Sequence, residues 1–77
     1  MNLLDILKSL TPKPVADYEH GSHILYSDII QTCRMLGEDN HHRIDILLKQ
    51  LADNDLITIV YLKASGFEDM IAGVILK

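Results

Sequence analysis

Histidine and cysteine are the side chains of this sequence that most readily hold a metal ion. The candidates are His20, His23, His41, His42 and Cys33. The first two histidines flank a glycine shortly after two prolines, a composition typical of a loop rather than of one helical turn. The other two are adjacent, and neighbours on a helix point about 100° apart. The spacing therefore predicts surface histidines, with no metal site and no cofactor.

Cys33 is the strongest nucleophile of the chain, but its position falls on an apolar helical stripe. A cysteine there is expected to be a small buried hydrophobe, and no base or oxyanion donor can be named beside it. The carboxylates of Asp53 and Asp55 fit a helix end and a turn, while Glu68 and Asp69 fit an exposed loop. The glycines are too scattered for a phosphate loop. We predict that the protein is not an enzyme and has no small-molecule substrate.

The composition indicates one small domain. The 77 residues are 48% hydrophobic, enough for a single core, and their net charge of −4 disfavours non-specific attraction to nucleic acid or anionic membrane. The single cysteine and the lack of a signal-like N-terminus favour a reducing, cytoplasmic location. No apolar run approaches the length needed to span a bilayer. We expect a single domain over residues 1–77.

Local signals define the first part of the chain. Asn2 can cap a first helix over residues 2–10, and the Pro12 and Pro14 pair prevents its continuation. Residues 11–21 are expected to form an irregular connection. Residues 22–26 allow two interpretations: the start of one long helix capped by Ser22, or a short strand before a helix capped by Ser27. We favour the strand, since it would give a later hairpin a third partner.

The remaining elements have clearer patterns. A helix ends at Gly37, a residue that accepts left-handed backbone, and either Asp39 or Asn40 can cap the next helix. That next helix has apolar residues at i, i+3, i+4 and i+7. The apolar positions are Ile44, Leu47, Leu48 and Leu51. Two β-prone runs around a polar tip with Gly66 then predict a hairpin over residues 56–76.

The stretch SDIIQTCRMLGEDNHHRIDILLKQLADNDLITIV, residues 27–60, resembles the winged helix-turn-helix family. The resemblance implies an α+β fold of three helices with a C-terminal β-hairpin wing. The strand interpretation of residues 22–26 would add a short first strand. The helix-turn-helix would occupy residues 27–54. Family members commonly have glycine where this chain has Asp55, preceded by Asn54; both residues tolerate left-handed backbone. The family's usual activity is DNA binding in transcription regulation.

By this resemblance, residues 41–53 form the recognition helix that enters the DNA major groove. With Ile44 at the centre of the buried stripe, a rotation of 100° per residue places several polar residues and one isoleucine on or beside the exposed side. The candidates for contact with base edges or phosphates, including one lysine of the wing, are His42, Arg43, Ile46, Lys49, Gln50 and Lys63.

The charge and the hairpin indicate a second possibility. Residues 38–77 carry four cations and seven carboxylates, fewer cations than a DNA-binding face usually has. Both faces of each hairpin strand are largely apolar, which suggests a partner surface. Its candidate residues are Ile46, Tyr61, Ile71 and Ile75. The leading hypothesis is a dimeric DNA-binding regulator; the alternative is an acidic protein-interaction module that does not bind DNA.

Overall fold

A computed structural model describes residues 2–15 and 22–77 of the chain. The elements in order are α1 Leu3–Ser9, β1 Lys13–Pro14, β2 Ser22–Leu25, α2 Tyr26–Met35, α3 His41–Asp53, β3 Ile57–Tyr61 and β4 Ile71–Leu76. The strands form an antiparallel sheet in the order β1-β2-β4-β3. The predicted α+β class is confirmed. No helix in the described ranges has the length and apolar character needed to cross a membrane.

Helix α1 lies within the predicted residues 2–10. Asn2 has an extended backbone, and its Oδ1 accepts a hydrogen bond from the Asp5 N–H at 3.3 Å. This side-chain cap satisfies a donor that the first helical turn leaves unpaired. The apolar side of α1, with Leu3, Ile6 and Leu7, is buried in the core. The amino-terminal segment is thereby fixed to the rest of the domain.

The connection after α1 is more regular than expected. Lys13 and Pro14 form the two-residue strand β1, which pairs with β2 through Lys13↔His23 and Pro14↔Ser22. Prolines argue against a strand in the middle of a sheet, but β1 is an edge strand, where proline is tolerated. An ion pair of 2.7 Å between Lys13 Nζ and Asp28 Oδ2 also links this segment to α2. Residues 16–21 lie outside the described ranges.

The strand interpretation of residues 22–26 is confirmed, with different bounds. Strand β2 ends at Leu25, and Tyr26 is already the first residue of α2. Leu25 is the N-cap residue and makes no side-chain capping hydrogen bond, so the expected cap at Ser27 is wrong. The reason is the sheet: β2 pairs with β4 as far as Leu25↔Gly73, and the extended chain then turns directly into the helix.

The backbone conformations on either side of α3 form the turns that connect it to α2 and to β3. Gly37 has φ +95°, as predicted for the residue that terminates α2. Asn40, rather than Asp39, is the N-cap of α3, and its Oδ1 accepts from the Arg43 N–H at 3.2 Å. After α3, Asp55 has φ 62° while Asn54 has φ −86°. Of these two residues, which both tolerate left-handed backbone, only Asp55 therefore adopts it.

The hairpin supplies the sheet face that covers the helices. Strands β3 and β4 pair in a regular register from Ile57↔Leu76 to Val60↔Gly73, and the register shifts next to Tyr61. Ile57, Ile24 and Val74 are almost completely buried on the face that packs against the helices. The helical side of the same core includes Leu7, Ile29, Cys33, Ile44 and Leu48, each without measurable exposure. One core thus joins all three helices to the sheet.

Gly73 marks the closest approach of β2 and β4. A Cβ atom at this position would overlap the carbonyl oxygen of Ile24 and the imidazole ring of His23. The prediction of a surface histidine is wrong for His23, whose side chain is 2% exposed because it fills the space beside the glycine. Because the overlap involves backbone as well as side chain, rotation of the histidine alone would not relieve it. The centre of the sheet requires glycine for steric reasons.

Candidate functional site

The outward side of α3 carries residues that the core does not need. Ile44 and Leu48 are fully buried on its inward side. The remaining positions follow the rotation of 100° per residue that defines an amphipathic helix. The sequence-derived candidates on α3 are all exposed; they are His42, Arg43, Ile46, Lys49 and Gln50. The structure therefore brings five of the six DNA-contact candidates onto one side of one helix.

Arg43 begins this surface, at the first turn of α3. Its Nε lies 3.5 Å from Oε2 of Glu38, and its side chain is 69% exposed. Glu38 also accepts a hydrogen bond from the Asn40 N–H at 3.3 Å, so its carboxylate stabilises the turn before α3. An exposed ion pair of this kind is weak in water. The guanidinium remains accessible to a competing anion.

Asp45 is held away from the exposed surface by Tyr26. The Tyr26 hydroxyl donates a hydrogen bond to Oδ1 of Asp45, and both side chains are partly buried between α2 and α3. Burial raises the pKa of Tyr26 above its ordinary value, and the hydrogen bond and the charge of Asp45 raise it further. The phenol therefore stays protonated and keeps donating at neutral pH. This bond fixes one helix against the other.

A cleft of about 310 Å³ lies between α3 and the hairpin tip. Its lining residues are Tyr26, Asp45, Lys49, Asp69, Met70 and Ile71. Lys49 shares this cleft with two carboxylates, so the positive charge of α3 is partly offset where the helix faces the hairpin. Any anion bound at Lys49 has to approach from the open side of the helix.

A second cleft, of about 440 Å³, lies on the other side of Tyr26 between α2 and α3. Its polar lining includes Ser27, Gln31, Arg34 and His41. Arg34 and His41 are not among the residues that the sequence predicts to bind DNA or a partner. Their proximity depends on how the two helices cross, and no local pattern in the sequence encodes that crossing.

The hairpin tip is a compact turn rather than a loose loop. Gly66 has φ +87°, and its N–H donates to Oε2 of Glu68 at 2.9 Å. Phe67 and Met70 are each about half exposed at this tip. Lys63, the sixth DNA-contact candidate, is exposed just after β3. The tip therefore carries apolar surface and two carboxylates, Glu68 and Asp69, together with its single lysine.

The candidate partner residues differ in exposure. Ile46 is 44% exposed and Tyr61 41% exposed, while Ile75 is half-buried. Ile71 is only 8% exposed and belongs to the core. The register shift beside Tyr61 allows both Ile71 and Val74 to face inward, although a regular alternation would place them on opposite faces. Ile71 is therefore not available to a partner in this fold.

Cys33 is a core residue. It has no measurable exposure, and burial, followed by the nearby charge of Glu38, raises the pKa of its thiol. A thiol of this kind is a poor nucleophile at neutral pH. Among the described residues, no three histidine, cysteine or acidic side chains converge on a point that could hold a metal ion. His20 lies outside the described ranges.

No model of a protein family, no curated protein and no solved structure matches this chain significantly. The functional inference accordingly rests on the geometry of α3, the clefts beside it and the hairpin.

Proposed function

We propose that the chain is a winged-helix domain that binds double-stranded DNA as a dimer and regulates transcription. In support of the fold, α2 and α3 are joined by the short link 36–40, and the hairpin follows α3 directly. Strands β2, β4 and β3 are neighbours in the sheet, so the hairpin extends from beside the helix pair. In this arrangement α3 is the recognition helix and residues 62–70 are the tip of the wing.

The observation that carries the DNA proposal is the outward side of α3. It bears Arg43, Lys49 and Gln50, which are exposed and have no role in the core. Arginine and glutamine suit base edges in the major groove, and lysine suits phosphates. Ile46 lies among them and fits a thymine methyl group. Asp45, which lines the cleft beside Lys49, accepts a hydrogen bond from Tyr26 of α2.

The small number of cations on one copy determines how DNA would be bound. With a net charge of −4, one copy contributes few cations to phosphate contacts. Each phosphate neutralised contributes about −0.9 to the slope of log affinity against log salt concentration. Two copies on adjacent half-sites double the number of contacts, which is why the proposal requires a dimer.

The test is retention of genomic DNA fragments at two salt concentrations. The Arg43→Ala, Lys49→Ala double variant should lose retention, whereas the wild type should retain DNA at low salt and lose it steeply at higher salt. The matched control is Lys8→Ala with Lys77→Ala, which removes the same charge from α1 and from the end of β4. If both double variants retain DNA as the wild type does, α3 is not the recognition helix. A wild type that retains no fragment at either salt concentration contradicts DNA binding altogether.

A second candidate function is a winged-helix module that binds another protein and not DNA. Its support is the set of large apolar side chains that are at least 40% exposed, together with the net negative charge. The exposed apolar residues include Met35, Leu36, Ile46, Phe67 and Met70.

Binding to a protein partner predicts association that changes little with salt. The Ile46→Asp variant should weaken it, while Gln50→Asp places the same charge on the same helix without removing apolar surface. If the two variants behave alike, or if association weakens as steeply with salt as DNA binding does, the protein-interaction proposal fails.

A further inference from the structure

Strand β3 is an open edge of the sheet formed by the described residues. In residues 2–15 and 22–77, the order β1-β2-β4-β3 leaves one side of β3 without a neighbouring strand. The backbone shows which residues face that side: the Lys77 N–H donates to the Leu56 carbonyl at 3.2 Å, and the Leu62 N–H donates to the Met70 carbonyl at 2.9 Å. Residues 56 and 62 therefore face β4.

The residues between these two points alternate in direction. In an antiparallel strand, successive residues turn their backbone N–H and C=O groups to opposite sides. Thr58 and Val60 therefore face β4, while Ile57, Ile59 and Tyr61 face the open edge. Within the described ranges, these three residues make no backbone hydrogen bond to another loop or turn. Edge strands usually carry a charged residue or a proline that prevents pairing with another chain, and β3 carries neither.

We propose that two copies of the chain associate by antiparallel pairing of their β3 strands, with Ile59 opposite Ile59 of the second copy. This register is the one in which all three outward residues pair, because Ile57 then meets Tyr61 of the second copy and Tyr61 meets its Ile57. The two four-stranded sheets become one continuous sheet with a two-fold axis through Ile59. Main-chain pairing of this kind adds a strand at a sheet edge.

The charges at the two ends of β3 fit this register. It places Asp55, just before the strand, opposite Lys63 of the second copy, and the symmetry repeats the pair. The Asp55 side chain is 81% exposed; its Oδ1 contacts Lys77, and a carboxylate can accept a second cation. Leu56 is 41% exposed and meets Leu62 of the second copy. A shift of one residue at the axis would remove the Asp55–Lys63 pairs and leave one outward residue unmatched.

This inference specifies how the two copies of the proposed dimer contact each other. It rests on the proposed function only in taking the dimer as the form that binds DNA. The association itself is measured without DNA, by sedimentation equilibrium of the whole chain. We expect twice the monomer mass of 8.7 kDa. Amide hydrogen exchange should show protection of Ile57, Ile59 and Tyr61 that rises with protein concentration, while protection of Thr58 and Val60 stays constant.

Two variants test the backbone and the charges separately. Tyr61→Pro removes an outward N–H from each copy and should weaken the dimer roughly thirtyfold, whereas Tyr61→Ala keeps that N–H and should weaken it less. Lys63→Glu opposes two carboxylates and should weaken the dimer about tenfold. Lys49→Glu on α3 makes the same charge change and should leave the dimer intact. Circular dichroism confirms that each variant is folded.

Mixing two variants tests the register. Asp55→Lys and Lys63→Glu should each form weak homodimers, but a mixture should form heterodimers of near wild-type affinity. In the heterodimer one Asp55–Lys63 pair is unchanged, and the other is restored with its charges reversed. Failure of the mixture to associate overturns the register, and a wild type that stays monomeric overturns the inference even if it retains DNA. A dimer with the expected exchange pattern that retains no DNA supports the inference and contradicts the DNA-binding function.

Discussion

The two faces of α3 differ in what determines the residue at each position. On the inward face, Ile44 and Leu48 are completely buried against α1 and the sheet, so size and apolarity are required. On the outward face, Ile46 and Lys49 contribute little to the core. Because a helix separates the two faces, changes on one should affect stability and changes on the other should affect binding. This separation is expected of a helix that binds a ligand through its outward face.

The largest effect should come from the inward face. Leu48→Ala leaves a cavity in the core and should lower the free energy of unfolding by about 2–5 kcal/mol. Urea denaturation followed by circular dichroism measures the loss. The control is Gln50→Ala on the outward side of α3, which should change stability by no more than about 0.5 kcal/mol. Equal losses for the two variants would contradict the assignment of the faces.

The hydrogen bond between Tyr26 of α2 and Asp45 of α3 should have an intermediate effect on stability. Tyr26→Phe removes the hydrogen bond to Asp45 and should lower the free energy of unfolding by about 1–2 kcal/mol, because the acceptor is charged but only partly buried. Thermal denaturation of the variant against the wild type measures this loss at neutral pH.

The same pair of proteins predicts a pH dependence. The pKa of Tyr26 is raised in the folded state above its ordinary value of 10.0. The folded protein therefore holds this proton more tightly than the unfolded chain does. The stability advantage of the wild type over Tyr26→Phe should be constant below pH 10 and should fall as the pH rises above it. Tyr61→Phe, at an exposed tyrosine, serves as the control, and an advantage that grows above pH 10 would contradict the prediction.

A smaller effect is expected at the start of α3, where the two faces begin. Asn40→Ala removes the side-chain cap and should cost about 1 kcal/mol in unfolding free energy. Asp39→Ala, at the neighbouring residue that could also have served as a cap, should cost much less. Denaturant midpoints of the two variants provide the comparison. A larger loss for Asp39→Ala would show that Asp39, and not Asn40, caps α3.

The smallest effect on stability belongs to the outward face. Ile46→Asp should change the unfolding free energy by no more than about 0.5 kcal/mol, since the side chain is already 44% exposed. Calorimetry of the folded variant, together with a binding assay for DNA or protein, shows whether stability and binding separate. A folded variant that binds normally would remove Ile46 from both proposed interfaces.

Local features of the fold were accessible from the sequence. Asn2 caps α1, Gly37 ends α2, and the apolar spacing of α3 defines its buried face; each depends on residues within a few positions of one another. The hairpin was predicted for the same reason. Strand β1 was missed because Pro14 argues against a strand, and only its pairing with β2 at the sheet edge makes it one.

Features that depend on distant residues were not accessible. Tyr26 and Asp45 are 19 positions apart, and no periodicity relates a tyrosine at the start of one helix to a carboxylate in the middle of the next. The burial of Ile71 was missed because β4 is apolar on both faces, so alternation cannot indicate which residues point inward. The register shift beside Tyr61 decides that question, and it exists only once β3 and β4 have paired.

The contact between His23 and Gly73 has a consequence for tracing the ancestry of this fold. A methyl group at position 73 would strike both the imidazole and the backbone of the neighbouring strand, so the glycine cannot be exchanged while β2 keeps its place. A smaller residue at position 23 would relieve only the imidazole. Distant descendants of the same ancestor should therefore keep the glycine and vary the histidine only toward residues that fill the same space. This pairing of a fixed and a constrained position is a search pattern that tolerates divergence elsewhere in the chain.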